Sequence, residues 1–134
     1  MSEVSNSELQ GKRVFITGSA RGVGRGIAEL AISRGAQVVI SDFDEDAAHK
    51  TAADLGAAGV ANCDVTDEAS VVDAIARVQE LLGGLDVLVN NAGIEIAAPL
   101  AMQSTDSFDK IFAVNVRGPF VVTKAAVSAL AESK

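Results

Sequence analysis

The chain has 134 residues, of which 49% are hydrophobic and 22% are charged, and its formal net charge is −7. This length and apolar content predict one folded domain with a buried core and exclude an intrinsically disordered chain. The acidic balance argues against a surface for nucleic acid or an anionic membrane. The single cysteine and the lack of an apolar run long enough to span a bilayer favour a cytoplasmic protein.

Four short apolar segments have the length and composition of buried strands. They are residues 12–17, 37–42, 59–64 and 85–90. The segments between and after them have helical patterns. These predicted helices cover residues 23–34, 44–55, 67–82 and 106–116, with a last helix after Gly118-Pro119.

The ends of the predicted helices carry residues that are typical of caps. Glycines end three of them, at Gly35, at Gly56 and at the pair 83–84. Thr66 is the predicted N-cap of the third helix, and acidic residues follow it in the first turn. Residues 1–10 are polar, and we predict a disordered tail there.

The order of these elements is β-α-β-α-β-α-β-α-α, which indicates a parallel sheet covered by helices on both faces. With right-handed crossovers, this order predicts a Rossmann-type, doubly wound α/β fold. The fold is incomplete, because about four strands make up only its first half. We assign residues 11–134 to this one domain.

The segment 17-TGSARGVG-24 lies at the predicted turn from the first strand into the first helix. The N–H groups and the dipole of a helix N-terminus favour an anion at this point, and glycines let the backbone approach a pyrophosphate. The spacing T-G-x-x-x-G-x-G differs from G-x-G-x-x-G. From the loop alone, a glycine-rich turn without a ligand therefore stays open as an alternative.

Three further polar motifs, Asp42, Asp64 and 90-NNAG-93, lie at the ends of the other predicted strands. Each has a purely structural alternative, namely a turn-starting acid, a helix-capping acid and an Asn-rich turn. However, all three fall with the glycine loop at the carboxyl edge of the sheet, where open α/β sheets bind ligands. This coincidence favours a nucleotide cofactor, with Asp42 at the adenosine ribose.

These motifs, together with Val65 and with Asn115 in 114-VNVRG-118, resemble the short-chain dehydrogenases/reductases from about residue 8 to the end of the chain. The resemblance implies hydride transfer between NAD and a small alcohol or carbonyl substrate. It also implies roles for particular residues. The implied cofactor-binding residues are Gly18, Ser19, Arg21, Gly22, Val23, Gly24, Asp42, Phe43, Asp64, Val65, Asn91, Ala92, Gly93 and Val114.

Within this set, the resemblance implies that the glycine loop lines the pyrophosphate and that Asp64 and Val65 contact the adenine. The segment 90–93 supports the sheet beside the adenosine ribose, and Val114 lies toward the nicotinamide. Asn115 matches the family's helix-kinking Asn, which holds a water of the proton relay, and it is the one catalytic residue we assign. No metal site is expected.

The sequence favours NAD over NADP. A carboxylate at Asp42 accepts a hydrogen bond from a 2′-hydroxyl and repels a 2′-phosphate. Arg21 argues for NADP, because a basic residue in this loop often accompanies that cofactor in the family. We give more weight to Asp42, since it would lie directly against the ribose.

The family's catalytic base is a Tyr four residues before a Lys, with a Ser upstream, and the chain contains no tyrosine. We therefore expect a chain truncated before this segment and inactive by itself. Three interpretations stay open: the front part of a dehydrogenase, a stand-alone nucleotide-binding or regulatory module, and an enzyme completed by a second polypeptide. Lys124 and His49 are expected at the surface, and Cys63 in the core.

Without a fifth strand, residues 85–90 form an apolar sheet edge, and such edges pair with other chains. The helices at 106–131 would also expose apolar surface. We therefore expect self-association or a missing C-terminal half as the partner, and neither nucleic acid nor membrane.

Overall fold

A computed structural model of the protein describes residues 7–133. The strands in this range are β1 Arg13–Ile16, β2 Gln37–Ile40, β3 Gly59–Val60 and β4 Val87–Val89. They form one four-stranded sheet in the order β3-β2-β1-β4, and every neighbouring pair is parallel. The predicted parallel sheet of four strands is therefore confirmed.

The helices alternate with the strands in the predicted order. They are α1 Gly22–Ser33, α2 Glu45–Leu55, α3 Glu68–Leu82, α4 Thr105–Phe112 and α5 Gly118–Glu132. A short 3₁₀ turn, Leu100–Met102, precedes α4, and a π-helical turn, Ala113–Arg117, joins α4 to α5. This α/β arrangement is Rossmann-like, as the sequence predicts.

The sheet has an apolar cluster on each face, because successive strand residues point to opposite sides. Phe15 and Val39 pack on one face against α3 and α5. Ile16 and Ile40 pack on the other face against alanines of α1 and α2. Coverage on both faces explains why the strands are continuous apolar runs rather than alternating ones.

The third strand is shorter than predicted. Its ladder with β2 covers only Gly59 and Val60, although residues 59–64 read as a strand. Ala61 still donates to the carbonyl of Ile40, but the Asp64 N–H turns to the hydroxyl of Ser70 at the start of α3. The chain therefore leaves the sheet early, because the backbone N–H of Asp64 bonds to the first turn of α3 instead of to β2.

The N-cap of α3 also differs from the prediction. Asp67, not Thr66, caps the helix, and its carboxylate accepts from the N–H groups of Ala69 and Ser70. The Thr66 hydroxyl instead donates to Asp64. Both residue types favour this position, so the local pattern alone does not separate them.

The predicted break at Gly118-Pro119 is wrong. Gly118 has helical dihedral angles, φ −54° and ψ −56°, and the chain stays helical from α4 through the π turn into α5. A β-carbon on Gly118 would lie 2.9 Å from Cγ2 of Val65. This glycine thus permits a close approach between α5 and the chain after β3. Proline is tolerated directly after it because it occupies the first turn of α5.

The predicted disordered tail covers residues 1–10, of which residues 1–6 lie outside the described residues. Residues 7–10 differ from the prediction, since they form a turn that is hydrogen-bonded to the end of α1. The Leu9 N–H donates to the carbonyl of Arg34 at 3.0 Å, and its side chain packs against the apolar cluster below α1. An ion pair between Glu8 and Arg34 also holds this part of the tail against the end of α1.

A charged network ties β1, β4 and the end of α5 together. The carboxylate of Asp86 accepts from the backbone N–H and the guanidinium of Arg13, at 2.8–3.0 Å, and from the hydroxyl of Ser133. The side chain of Asp86 is only 12% exposed. The hydrogen bonds from Arg13 and Ser133 hold the pKa of Asp86 far below its usual range.

Replacing Asp86 by Ala should lower the free energy of unfolding by about 2 kcal/mol, because a charge-assisted network is lost. Urea unfolding at pH 7 measures this change. Asp73→Ala, which removes an exposed acid on α3, is the matched control and should change little. Equal effects from the two variants would contradict the role of the network.

The contribution of Asp86 also depends on pH with a definite sign. Because its pKa is depressed in the folded state, the stabilisation is complete above the unfolded pKa of about 4. It is lost as the pH falls below that value toward the folded pKa. The stability difference between the parent and Asp86→Ala should therefore shrink on acidification.

Candidate functional site

The carboxyl ends of the strands bring most of the predicted site residues to one edge of the sheet. The glycine loop follows β1, Asp42 follows β2, and residues 90–93 follow β4. Because β1 lies between β2 and β4, the glycine loop is the centre of the site. Hydrogen bonds join it to the loops on both sides.

The glycine loop is shaped by two glycines in the left-handed region, Gly18 with φ +63° and Gly22 with φ +61°. Ser19 is buried, donates to the carbonyl of Ile16 and accepts from the N–H of Ser41, so it anchors the loop to both strands. The turn then leads directly into α1. The path of the loop depends on Gly18 and Gly22, because a residue with a side chain would be strained in the left-handed region.

The N-terminus of α1 is free to receive an anion. Within the described residues, the N-cap Arg21 gives the helix no side-chain hydrogen bond, and the first turn carries no acid. A β-carbon on Gly22 would meet no atom of residues 7–133 within 4 Å. The uncapped N–H groups and this open space fit the phosphate groups of a dinucleotide.

Asp42 lies beside this helix end and is buried, with 7% of its surface exposed. Its carboxylate accepts from the N–H of Ala20 at 3.4 Å and from the N–H of Asp44 at 3.1 Å. A carboxylate has about four acceptor sites, so it retains capacity for hydroxyl donors from a ligand. Arg21, from the same loop, pairs instead with Asp44 at 2.9 Å.

The loop after β4 packs directly on the glycine loop. The side-chain amide of Asn91 donates to the carbonyl of Gly18 at 3.0 Å. A β-carbon on Gly18 would lie 2.9 Å from the Cα of Ala92, and one on Gly24 would lie 2.5 Å from the carbonyl oxygen of Gly18. Gly18 is therefore required by close packing between the two loops. Gly24 is required by the tight turn of the glycine loop and by the nearby side chain of Asn91.

Asn115 lies in the π-helical turn, where it holds the segment that follows Gly93. Its side-chain oxygen accepts from the N–H of Ile94 and its amide donates to the carbonyl of Ile94, each at 2.8 Å. This two-bond contact fixes the entry of the chain into the loop before α4. Val114, its neighbour, is half-buried against the apolar cluster on the α3 and α5 face.

Asp64 and Val65 are less closely joined to the rest of the site. The carboxylate of Asp64 is exposed and accepts from the N–H and hydroxyl of Thr66. Val65 is buried in the apolar core and packs on Gly118. Asp64 therefore stabilises the turn before α3, and Val65 packs against the start of α5.

Two apolar side chains stand exposed at the rim of the site. Val23 is 74% exposed in the first turn of α1, and Phe43 is 88% exposed directly after Asp42. Large apolar groups in such positions can cover a bound ligand. Both belong to the predicted cofactor-binding set.

Sequence reasoning missed three buried hydroxyl groups at this edge. Thr17 accepts from the N–H groups of Asn91 and Ala92, and Thr51 on α2 donates to the carbonyl of Ala20 in the glycine loop. The hydroxyl of Ser41 is buried without a hydrogen-bond partner among residues 7–133. A hydroxyl residue within an otherwise apolar strand is a signal that could have found Thr17 and Ser41.

The other chemically active side chains lie where the sequence predicts. His49 and Lys124 are exposed on helices, and Cys63 is buried in the core. Burial and the neighbouring Asp64 raise the pKa of the Cys63 thiol to about 12, which makes it a poor nucleophile. Residues 7–133 contain no cluster of three His, Cys, Asp or Glu side chains that could hold a metal ion. In the same range, the helices are too short or too polar to span a membrane.

The fold and this edge define a Rossmann-type nucleotide-binding domain. The sequence profile of the short chain dehydrogenase family matches residues 12–134. The chain therefore belongs to the short-chain dehydrogenase/reductase family. Most of the relatives and neighbours that it matches carry the names of dehydrogenases or reductases.

Sorbitol dehydrogenase from Cereibacter sphaeroides is 42% identical over 91% of this chain and 48% of its own length. Galactitol 2-dehydrogenase from Agrobacterium fabrum is 41% identical over 87% of the chain and 46% of its own length. The chain thus spans about half the length of the curated relatives it matches.

Solved structures give the same result for the fold. A 3-ketoacyl-(acyl-carrier-protein) reductase from Brucella melitensis complexed with NADH superposes with a TM-score of 0.87 and 35% identity, over 91% of this chain and 51% of that one. A short chain dehydrogenase from Burkholderia cenocepacia in complex with NADP gives a TM-score of 0.83 and 39% identity, over 91% and 52%. The two neighbours therefore hold different cofactors.

Replacing Thr17 by Val should lower the free energy of unfolding by about 1–3 kcal/mol, because the Ala92 N–H loses its acceptor inside the protein. Urea unfolding measures the loss, and hydrogen exchange should show faster exchange at Ala92. Thr123→Val is the matched control, since its hydroxyl accepts from Asn90 at an exposed position. Equal stability of the two variants would refute the anchoring role of Thr17.

Proposed function

We propose that this chain is the NAD(H)-binding part of a short-chain dehydrogenase/reductase that interconverts a small alcohol and its carbonyl compound. One observation carries the proposal: the uncapped N-terminus of α1, with open space at Gly22, lies beside the buried carboxylate of Asp42. This pairing suits a ligand with phosphate groups at one end and ribose hydroxyls at the other.

In this proposal the glycine loop binds the pyrophosphate. Gly22 leaves room for it, and the N–H groups at the start of α1 donate to its oxygens. Gly18 and Gly24 act indirectly, since they let the loop pack on Asn91. Val23 and Phe43 cover the ligand from the solvent side, as their exposure supports.

Asp42 is the basis for proposing NAD rather than NADP. Its buried carboxylate would accept from the 2′-hydroxyl and repel a 2′-phosphate. One structural neighbour holds NADH and another NADP, so the choice rests on this residue. Asp64, Val65 and the segment 90–93 complete the adenosine side of the proposed site.

The nicotinamide of the bound cofactor supplies the hydride chemistry. Near the nicotinamide, the contact of Asn115 with Ile94 fixes the segment after Gly93. Val114 lies toward the nicotinamide in this proposal. We assign Asn115 to the proton relay, as the family resemblance implies. The 134 residues include no tyrosine, so the Tyr-Lys pair of the family lies outside them. In the proposed function, this chain alone binds the cofactor in the cytoplasm without turnover.

The test is to titrate the chain with NAD and with NADP and to measure binding by isothermal titration calorimetry. We expect tighter binding of NAD. Asp42→Ala should weaken NAD binding by about tenfold, since it removes a charged acceptor. Gly22→Asn should weaken it at least as much, because Asn tolerates a left-handed backbone but fills the proposed phosphate space.

Gly26→Ala is the control for Gly22→Asn. A β-carbon on Gly26 would also meet no atom of the described residues within 4 Å, but Gly26 lies one turn further into α1 with a helical backbone. It should keep the parent affinity. Unfolding curves establish that each variant is folded. Folded Asp42→Ala and Gly22→Asn chains that bind NAD like the parent would refute the site.

We also propose that the chain self-associates or binds a missing half of its fold. Within residues 7–133, β4 pairs only with β1 and is an edge strand. The adjoining face of α4, the π turn and α5 exposes large apolar side chains. They include Phe108, Phe112, Val116, Phe120 and Val127, each 47–66% exposed. Apolar surface of this kind favours association.

Sedimentation velocity over a range of concentrations tests this association. The parent should sediment above the 13.7 kDa expected for one chain, and Phe120→Glu should shift it toward that mass. Val72→Glu is the control, because Val72 is similarly exposed, at 54%, on the separate helix α3. A parent that stays monomeric at all concentrations would contradict the self-association part of the proposal.

A further inference from the structure

The ion pair between Arg21 and Asp44 joins the glycine loop to the loop after β2, which also carries Asp42. Nη2 of Arg21 lies 2.9 Å from Oδ2 of Asp44. The same carboxylate caps α2, since its Oδ1 accepts from the N–H of Ala47 at 3.1 Å. Asp44 thus uses one oxygen for its own helix and the other for the arginine of the glycine loop.

The pair lies next in the chain to the backbone groups that bind the carboxylate of Asp42, which is proposed to bind the ribose. Asp42 accepts from Ala20, the residue before Arg21, and from the N–H of Asp44 itself. A phosphate on the ribose 2′-oxygen would therefore enter next to this pair. Arg21 is the cation closest along the chain to these contacts, and its guanidinium would suit such a phosphate through two parallel hydrogen bonds.

We propose that Asp44 is a second determinant of the preference for NAD, because it holds Arg21 in an ion pair and withholds this cation from a 2′-phosphate. The inference rests on the proposed NAD site. Arg21 and Asp42 then have compatible roles, because Asp44 neutralises Arg21, the basic residue that would favour NADP. Asp42 then discriminates directly against the phosphate, and Asp44 does so through Arg21.

The side chains of Arg21 and Asp44 are 67% and 43% exposed, so solvent screens the pair and its strength is modest. The expected effect of releasing Arg21 is correspondingly moderate. A gain in NADP affinity of about 1.5-fold to fivefold matches the strength of such pairs. The affinity for NAD, which has no 2′-phosphate, should change much less.

The experiment is Asp44→Asn in the full chain, titrated with NAD and with NADP. This substitution keeps an oxygen for the cap on Ala47, because Asn is as good an N-cap as Asp. It replaces Oδ2 by an amide nitrogen, which cannot accept from Arg21. The dissociation constant for NADP should fall by about 1.5-fold to fivefold.

Two controls separate release of Arg21 from a simple loss of negative charge. Asp46→Asn removes the same charge from the exposed first turn of α2, and it should change NADP binding less than Asp44→Asn does. In the Arg21→Ala background, Asp44→Asn should no longer improve NADP binding beyond the Asp46→Asn effect. This dependence on Arg21 is the signature of the proposed mechanism.

The outcomes separate this inference from the function on which it rests. A parent chain that binds neither dinucleotide overturns the proposed function and the inference with it. Binding of NAD together with equal NADP effects of Asp44→Asn and Asp46→Asn, or with a gain that persists without Arg21, overturns the inference alone. A gain that is specific to Asp44 and requires Arg21 establishes it.

Discussion

The contact between the glycine loop and the loop after β4 is the constraint on which the site depends. Gly18 brings the backbones of the two loops so close that a β-carbon there would collide with Ala92, and Gly24 leaves room for the side chain of Asn91 and the carbonyl of Gly18. Thr17 and Asn91 then join the loops by hydrogen bonds. Because α1 begins directly after this contact, the loops also determine where its N–H groups point. In the proposed function, the position of the phosphate at this edge is thus set by packing between two loops rather than by a charged side chain.

The electrostatic character of the edge changes over a few residues. The start of α1 carries uncapped donors and favours negative charge. Asp42, on the neighbouring strand end, supplies a buried acceptor and disfavours it. Arg21 lies between these two environments and is neutralised by Asp44. In the proposed function, this sequence of donors and acceptors matches a ligand whose charge lies on its phosphates and not on its ribose.

Most of the fold follows from local patterns, and the errors occur where tertiary contacts override them. The order of strands and helices, and the placement of the polar motifs at one sheet edge, follow from apolar periodicity and chain order. The third strand is short because Ser70 captures the backbone of Asp64. Gly118 does not break the helix, because it has a helical backbone and lets α5 pack closely on Val65. A glycine signals a turn and a close approach equally well, and only the fold distinguishes the two uses.

The sequence by itself determined the class of fold, the glycine loop and the acid after the second strand, because each depends on residues that are near one another in the chain. The tertiary structure decided which polar groups meet. Thr17 accepts from Ala92 across 75 positions in the chain, and Asn115 holds Ile94 across 21. It also decided that Arg21 pairs with Asp44 rather than remaining in solvent. Contacts of this kind depend on strand order and loop packing, which local hydrophobic patterns do not specify.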